Sequence, residues 1–192
     1  MIEYVILFLS AAVINNFVLY KFLGLCPFIG VSKKTSSALG MGAAVTFVMM
    51  ATTIVTWPLY NLVLEPLGLP FMQYVAFILV ISTLVQLIEL FMKKQMPAMH
   101  KAFGIYLPLI TTNCAILGLA LLNIINGLGF IESVFYGLGA GAGFVMALLI
   151  MSGVRERLEL ADTIPASLKG VPIAFITAGL LALAFSGFGG IV

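Results

Sequence analysis

Apolar residues occupy this chain in long blocks, and polar and helix-breaking residues gather between them. About 20 mostly apolar residues, rising about 1.5 Å each, make a helix that crosses the ~30 Å hydrocarbon core of a bilayer. Six blocks meet that length: 2–22, 37–60, 71–91, 102–123, 131–152 and 171–189. The punctuation lies at or near the gaps: Pro58, Glu65-Pro66, Pro70, Pro97, Asn126-Gly127 and Pro165. The pattern predicts an all-α membrane protein with six transmembrane helices. The longest gap, 153–170, carries Arg155-Glu156-Arg157 and reads as a solvated loop or as a docking surface for a cytoplasmic partner.

Composition agrees. Of 192 residues, 62% are hydrophobic and only 8% charged, against roughly 25% charged in soluble domains. The net charge of +2 is no sign of nucleic-acid binding, because the basic residues sit in short connections. Lys21, Lys33 and Lys34 fall to the first connection, Lys93, Lys94 and Lys101 to the third, and Arg155, Arg157 and Lys169 to the fifth. All nine basic residues then lie on one side, which the positive-inside rule makes cytoplasmic, with both termini outward. The first block lacks a basic leader and has Glu3 at its front, so it reads as a retained helix. Trp57 reads as an interfacial anchor near the outer face, Glu89 and Lys93 as an i,i+4 pair, and His100 as a loop residue.

The chain also resembles itself. Leu39-Gly40-Met41-Gly42 followed by Phe47-Val48-Met49 recurs as Tyr136-Gly137-Leu138-Gly139 followed by Phe144-Val145-Met146, at an offset of 97 that also pairs Asn16 with Asn113. Ala76-Phe77-Ile78 recurs as Ala174-Phe175-Ile176 at an offset of 98. Two halves, about 1–95 and 96–192, of three helices each would have opposite directions in the membrane. That is an inverted repeat within a single membrane domain, a common plan in transporters. The glycines themselves read first as sites of close helix packing.

Two of the six helices carry signs of interruption. Around Asn15-Asn16 and Gly24-Leu25-Cys26-Pro27, proline disfavours helix at Cys26 and glycine adds freedom, so the first helix is expected to break near Gly24. The fourth helix has Pro108 and the polar run Thr111-Thr112-Asn113 before Cys114. Irregular backbone at membrane depth is tolerated only where protein or a cavity covers it. Cys114 falls about 18 Å from the cytoplasmic end, near mid-membrane; Cys26 reaches that depth only if the first helix is interrupted. Two cysteines are too few for a disulfide framework. Each could be a small inert hydrophobe, or the two could ligate iron as thiolates, half of the four that a [2Fe–2S] centre usually takes. Asn16, Thr112 and Asn113 could satisfy freed backbone groups or support such a site.

The motifs Asn15-Asn16-Phe17-Val18-Leu19, Phe22-Leu23-Gly24-Leu25-Cys26-Pro27-Phe28, Gly30-Val31-Ser32-Lys33-Lys34, the run 107–118, Arg155-Glu156-Arg157-Leu158 and Ile176-Thr177-Ala178-Gly179-Leu180 resemble those of the Rnf–Nqr family of membrane subunits. They are closer to the A-type subunits of its Rnf branch than to the E-type subunits of the Na⁺-translocating NADH:quinone reductase. The resemblance runs through nearly the whole chain. It implies a component of a redox-driven ion translocase, a ferredoxin:NAD oxidoreductase complex in the bacterial or archaeal cytoplasmic (inner) membrane, with no catalysis by the chain alone. It implies a homologous partner of opposite membrane orientation, and one intramembrane [2Fe–2S] cluster to which Cys26 and Cys114 contribute, supported by Gly24, Pro27, Asn113, Thr112 and Asn16. It further implies two more members of the same complex, a cytoplasmic iron–sulfur subunit with an outer-side flavin subunit. Three other readings fit the residues: a quinone-reductase subunit, a secondary transporter or channel with inverted repeats, and a purely structural packing subunit.

Overall fold

The computed structural model describes residues 2–95, 107–160, 165 and 168–187. All regular structure among them is helical. Helix α1 (Ile2–Leu9) runs into a π-helical turn, Ser10–Ile14. After an irregular stretch come α2 (Leu25–Val31), α3 (Thr35–Leu59) with a further π turn (Tyr60–Leu64), and α4 (Gln73–Gln95) behind a single 3-10 turn. The second half holds α5 (Leu107–Thr111), α6 (Cys114–Ile125), α7 (Phe130–Glu159) and α8 (Val171–Ser186). Four stretches are long and apolar enough to cross a membrane: Thr35–Leu64, Pro70–Leu90, Pro108–Ile125 counted through its interruption, and Phe130–Glu159. Glu3–Ile14 and Val171–Ser186 are shorter apolar helices.

Helix α7 is the spine. At 30 residues it is about 45 Å long, and its neighbours can be read off against it. Tyr4 stacks on Phe135, Gly139 meets Phe8, Gly143 meets Ala12 and Asn16, Gly24 meets Phe144, and Arg155 reaches Ile29 and Ser32. The segment from α1 through α2 therefore runs in the same direction as α7. Helix α3 runs against it: Thr35 pairs with Glu156, Gly42 with Val145, Thr46 with Gly141, Thr53 with Gly137, and Trp57 with Leu128 and Phe130. Helix α6 also runs against α7, with Ala115 at the level of Phe144 and Leu119 at the level of Gly137.

Small residues make this packing possible. A Cβ at Gly143 would lie 2.6 Å from the Ala12 carbonyl oxygen, and one at Gly139 would lie 2.6 Å from that of Phe8. On α4 only Phe77, Ile81 and Val85, spaced four apart on one face, are buried among the described residues. Tyr74, Val75, Ile78, Leu79, Leu87 and Leu90 of that helix present large side chains outward, and Leu62, Phe71 and Leu183 elsewhere are each more than 70% exposed. Such a surface is stable against lipid rather than water.

Three expectations need correction. The first helix ends at Ile14, not near Phe22, because the chain from Asn15 to Gly24 leaves the helix. The block expected to end at Tyr60 runs on to Leu64, closing in a π turn in which the Glu65 amide takes the Tyr60 carbonyl five residues back; such winding is rare and mostly a single turn. The expected loop 153–170 begins late, since α7 continues to Glu159 and buries Arg155. The gap holding Pro97, His100 and Lys101 lies outside the described residues.

Candidate functional site

The two interruptions are built by asparagines. Asn16 is fully buried. Its Oδ1 accepts from the Val18 and Leu19 amides at 3.0 and 3.3 Å, and its Nδ2 donates to the carbonyls of Ala12 and Gly143 at 3.0 and 2.9 Å. One side chain thus caps the end of the first half-helix, starts the turn after it and fastens both to α7. Asn113 is the N-cap of α6, its Oδ1 accepting from the Ala115 amide at 3.0 Å. This is the usual chemistry of an asparagine at a helix start. The buried Nδ2 of Asn113 has no partner among the described residues.

Gly24 joins the two breaks. Its φ of +80° is open to glycine, and a Cβ there would lie 2.8 Å from Cε2 of Phe144, 3.1 Å from the Ala115 methyl and 3.2 Å from Oδ1 of Asn113. The Gly24 amide donates to Sγ of Cys114 at 3.0 Å. Cys26 follows two residues later in the first turn of α2, and both thiols are free and exposed on the surface of the chain. Pro27 is buried at the third position of α2, where a helix needs no amide donor. Cys114 opens the 12-residue α6, whose amide end favours negative charge.

The depth of this site follows from α7. Gly143 and Phe144 sit at the middle of that helix, about 20 Å from either end. Asn16, Gly24, Asn113 and Cys114 are bound to or packed at that level. Thr112 is not part of the cluster: it is exposed, and its hydroxyl donates to the Pro108 carbonyl at 3.0 Å, closing α5. Asn16 touches Gly143 rather than a sulfur.

Lys21 corrects the charge count. It is half-buried within the first interruption, between Asn16 and Gly24. Its neighbours Leu19, Tyr20 and Phe22 share a cleft with Gly179, Ala182 and Ser186 of α8, far along that helix from Lys169. Lys21 therefore belongs to the interior level of the bundle, while Lys33, Lys34, Arg155, Arg157 and Lys169 gather at one end. Sequence reasoning also missed Phe144 and Ala115, the walls against Gly24, and Leu23, which fills the space beside Gly118. The repeat that pairs Phe47 with Phe144 points to the first, and the family motifs hold Leu23 and Ala115 without giving either a role.

Among the described residues no three His, Cys, Asp or Glu side chains converge as a metal site. With two cysteines in the whole chain, any tetrathiolate group would be completed from outside. Two exposed thiols, Cys114 at the start of a helix and Cys26 two residues after the glycine that donates to it, fit half of such a ligand set.

These features define a class: an all-helical membrane protein whose distinctive site lies where two interrupted helices meet at mid-depth. The chain belongs to the Rnf–Nqr family, described as "Rnf-Nqr subunit, membrane protein", which matches residues 4–192. It is 52% identical over 186 residues, 97% of this chain and 96% of the relative, to the A subunit of the Na(+)-translocating ferredoxin:NAD(+) oxidoreductase complex of Acetobacterium woodii. It is 54% identical over 187 residues, again 97% and 96% of the two chains, to the A subunit of the ion-translocating oxidoreductase complex of Syntrophotalea carbinolica. The protein of the same name from Yersinia enterocolitica is 52% identical over 192 residues, 100% of this chain and 99% of the relative.

Proposed function

We propose that this chain is the A-type membrane subunit of an ion-translocating ferredoxin:NAD oxidoreductase complex, and that it relays electrons across the membrane through a [2Fe–2S] cluster shared with a homologous subunit of opposite orientation. The observation that carries the reading is the junction of the two breaks, where the Gly24 amide meets Sγ of Cys114 and Cys26 follows on the next turn. Cys26 and Cys114 would be this chain's two ligands. When bound, such a cluster supplies a one-electron carrier at mid-membrane. Gly24 keeps the two half-helix starts in register and donates to one sulfur, and Asn113 holds Cys114 at the start of α6. Thr112 supports only the end of α5.

On this reading the halves 1–95 and 96–192 are inverted repeats. Asn16 and Asn113, at the offset of 97, each accept the amide two residues on, and the equivalent helices α3 and α7 run in opposite directions. The basic end is cytoplasmic, both termini face outward, and electrons pass between an iron–sulfur subunit on the cytoplasmic side and a flavin subunit on the outer side.

Iron analysis with EPR on the purified complex is the test. A [2Fe–2S] signal lost in both Cys26→Ser and Cys114→Ser is expected, with the complex still assembled. Retention of the signal in either variant sinks the ligand assignment. Interrupted helices at mid-depth also suit a secondary transporter; substrate-dependent transport by this chain alone in iron-free liposomes would decide for that reading.

A further inference from the structure

Arg155 is 5% exposed near the end of α7. A single nitrogen, Nη1, donates to the Ile29 carbonyl at 2.7 Å and to the Ser32 hydroxyl at 2.9 Å. Ile29 lies in the last turn of α2, and Ser32 is its C-cap. The next residue, Glu156, accepts from the amide and hydroxyl of Thr35, the first residue of α3, at 2.9 and 2.7 Å. Two adjacent residues of opposite charge thus take two helix ends. The cation sits on a carbonyl end and the carboxylate on an amide end, each the sign that the helix dipole favours.

Helix α2 has seven residues, too few to hold a helical conformation by itself. Gly24 fixes where it begins, wedged against Phe144 and Ala115. Arg155 fixes where it ends. Cys26 and Ile29 are three residues apart and share a face of the helix, so a shift of the Ile29 end is a shift of Cys26.

We propose that Arg155 is a positioning residue for Cys26, holding the cysteine-bearing half-helix α2 to the spine of the bundle through the Ile29 carbonyl and the Ser32 hydroxyl. The proposal rests on the reading of Cys26 as a cluster ligand. It gives Arg155 a task at mid-membrane from a place at the bundle's end. The docking-surface reading of that segment is not needed to explain it.

The experiment compares Arg155→Met and Ser32→Ala with the wild type in the purified complex in lipid nanodiscs. Hydrogen exchange of the amides of α2 and α6 is measured, together with the EPR line shape. Arg155→Met should raise exchange across Leu25–Val31 about tenfold or more, since bonds to a charged group are lost. The amides of α6 should be unchanged, and the g values should move while iron is retained. Ser32→Ala, which keeps the Ile29 bond, should act in the same direction and less. Unchanged exchange in α2 of Arg155→Met overturns the proposal, as does a rise spread equally over α6, which marks a general loss of packing. If Arg155→Met does not assemble, Ser32→Ala decides by the same two comparisons. Exchange is read without the cluster, so absence of iron from the wild-type complex would overturn the ligand reading alone.

Discussion

At the scale of single residues, the site depends on groups that serve two segments at once. Asn16 engages both ends of its amide, with two acceptances and two donations, all buried. Asn16→Ala should cost about 1–3 kcal/mol, because removing it leaves backbone groups unpaired in a dry interior. Chemical unfolding in detergent measures this; an unchanged midpoint would mean that the cap contributes nothing. Gly24→Ala should cost about 1–3 kcal/mol through its positive φ alone, and it should also lower iron content, since the new methyl would press on Phe144 and Asn113 beside Cys114. A variant that loses stability and keeps full iron would separate the fold of the junction from the proposed cluster.

At the scale of elements, α7 and the glycines along it decide how close its neighbours come. Gly143→Ala places a methyl against the Ala12 carbonyl, whereas a Cβ at Gly153 meets nothing within 4 Å. Gly153→Ala should therefore be neutral or stabilise by about 0.5–1 kcal/mol through helix propensity, while Gly143→Ala should destabilise. Thermal denaturation of the two variants side by side checks the sign of each. The helices themselves are legible in the sequence, because a water-soluble fold has no use for apolar blocks of bilayer length. The point of the first break is not. Phe17, Val18 and Leu19 are as apolar as any helical run, and what takes the last two amides out of the helix is the Asn16 side chain, which accepts both and is itself bonded to Gly143, 127 residues away. The break in the fourth helix is legible because Pro108 and the polar run before Cys114 lie within a few residues of each other. Arg155 reads as a loop residue in the sequence for the same reason that hides the first break: its acceptors are 123 and 126 residues away.

At the scale of the whole molecule, the described basic residues other than Lys21 and the pair Lys93-Lys94 are tied to one end by the contacts of Thr35 with Glu156 and by the cleft that Arg155 and Lys169 line. If that end is cytoplasmic, a periplasmic-type reporter enzyme fused after Val192 should be active, and one fused after Lys169 inactive. The reverse pattern would invert the proposed orientation and exchange the sides assigned to the iron–sulfur and flavin subunits. Lys21→Gln should leave this orientation unchanged, because that lysine lies within the bundle rather than at its charged end.

The bonds that close the first interruption have a consequence for synthesis. Asn16 needs Gly143, Gly24 needs Cys114, and Ile29 needs Arg155, so the N-terminal segment cannot reach its final shape until nearly all of the chain has left the ribosome. Until then its bare backbone has no place in hydrocarbon. A segment made early is finished late, and the membrane insertion machinery has to shelter residues 15–24 while the helices that cover them are still being translated.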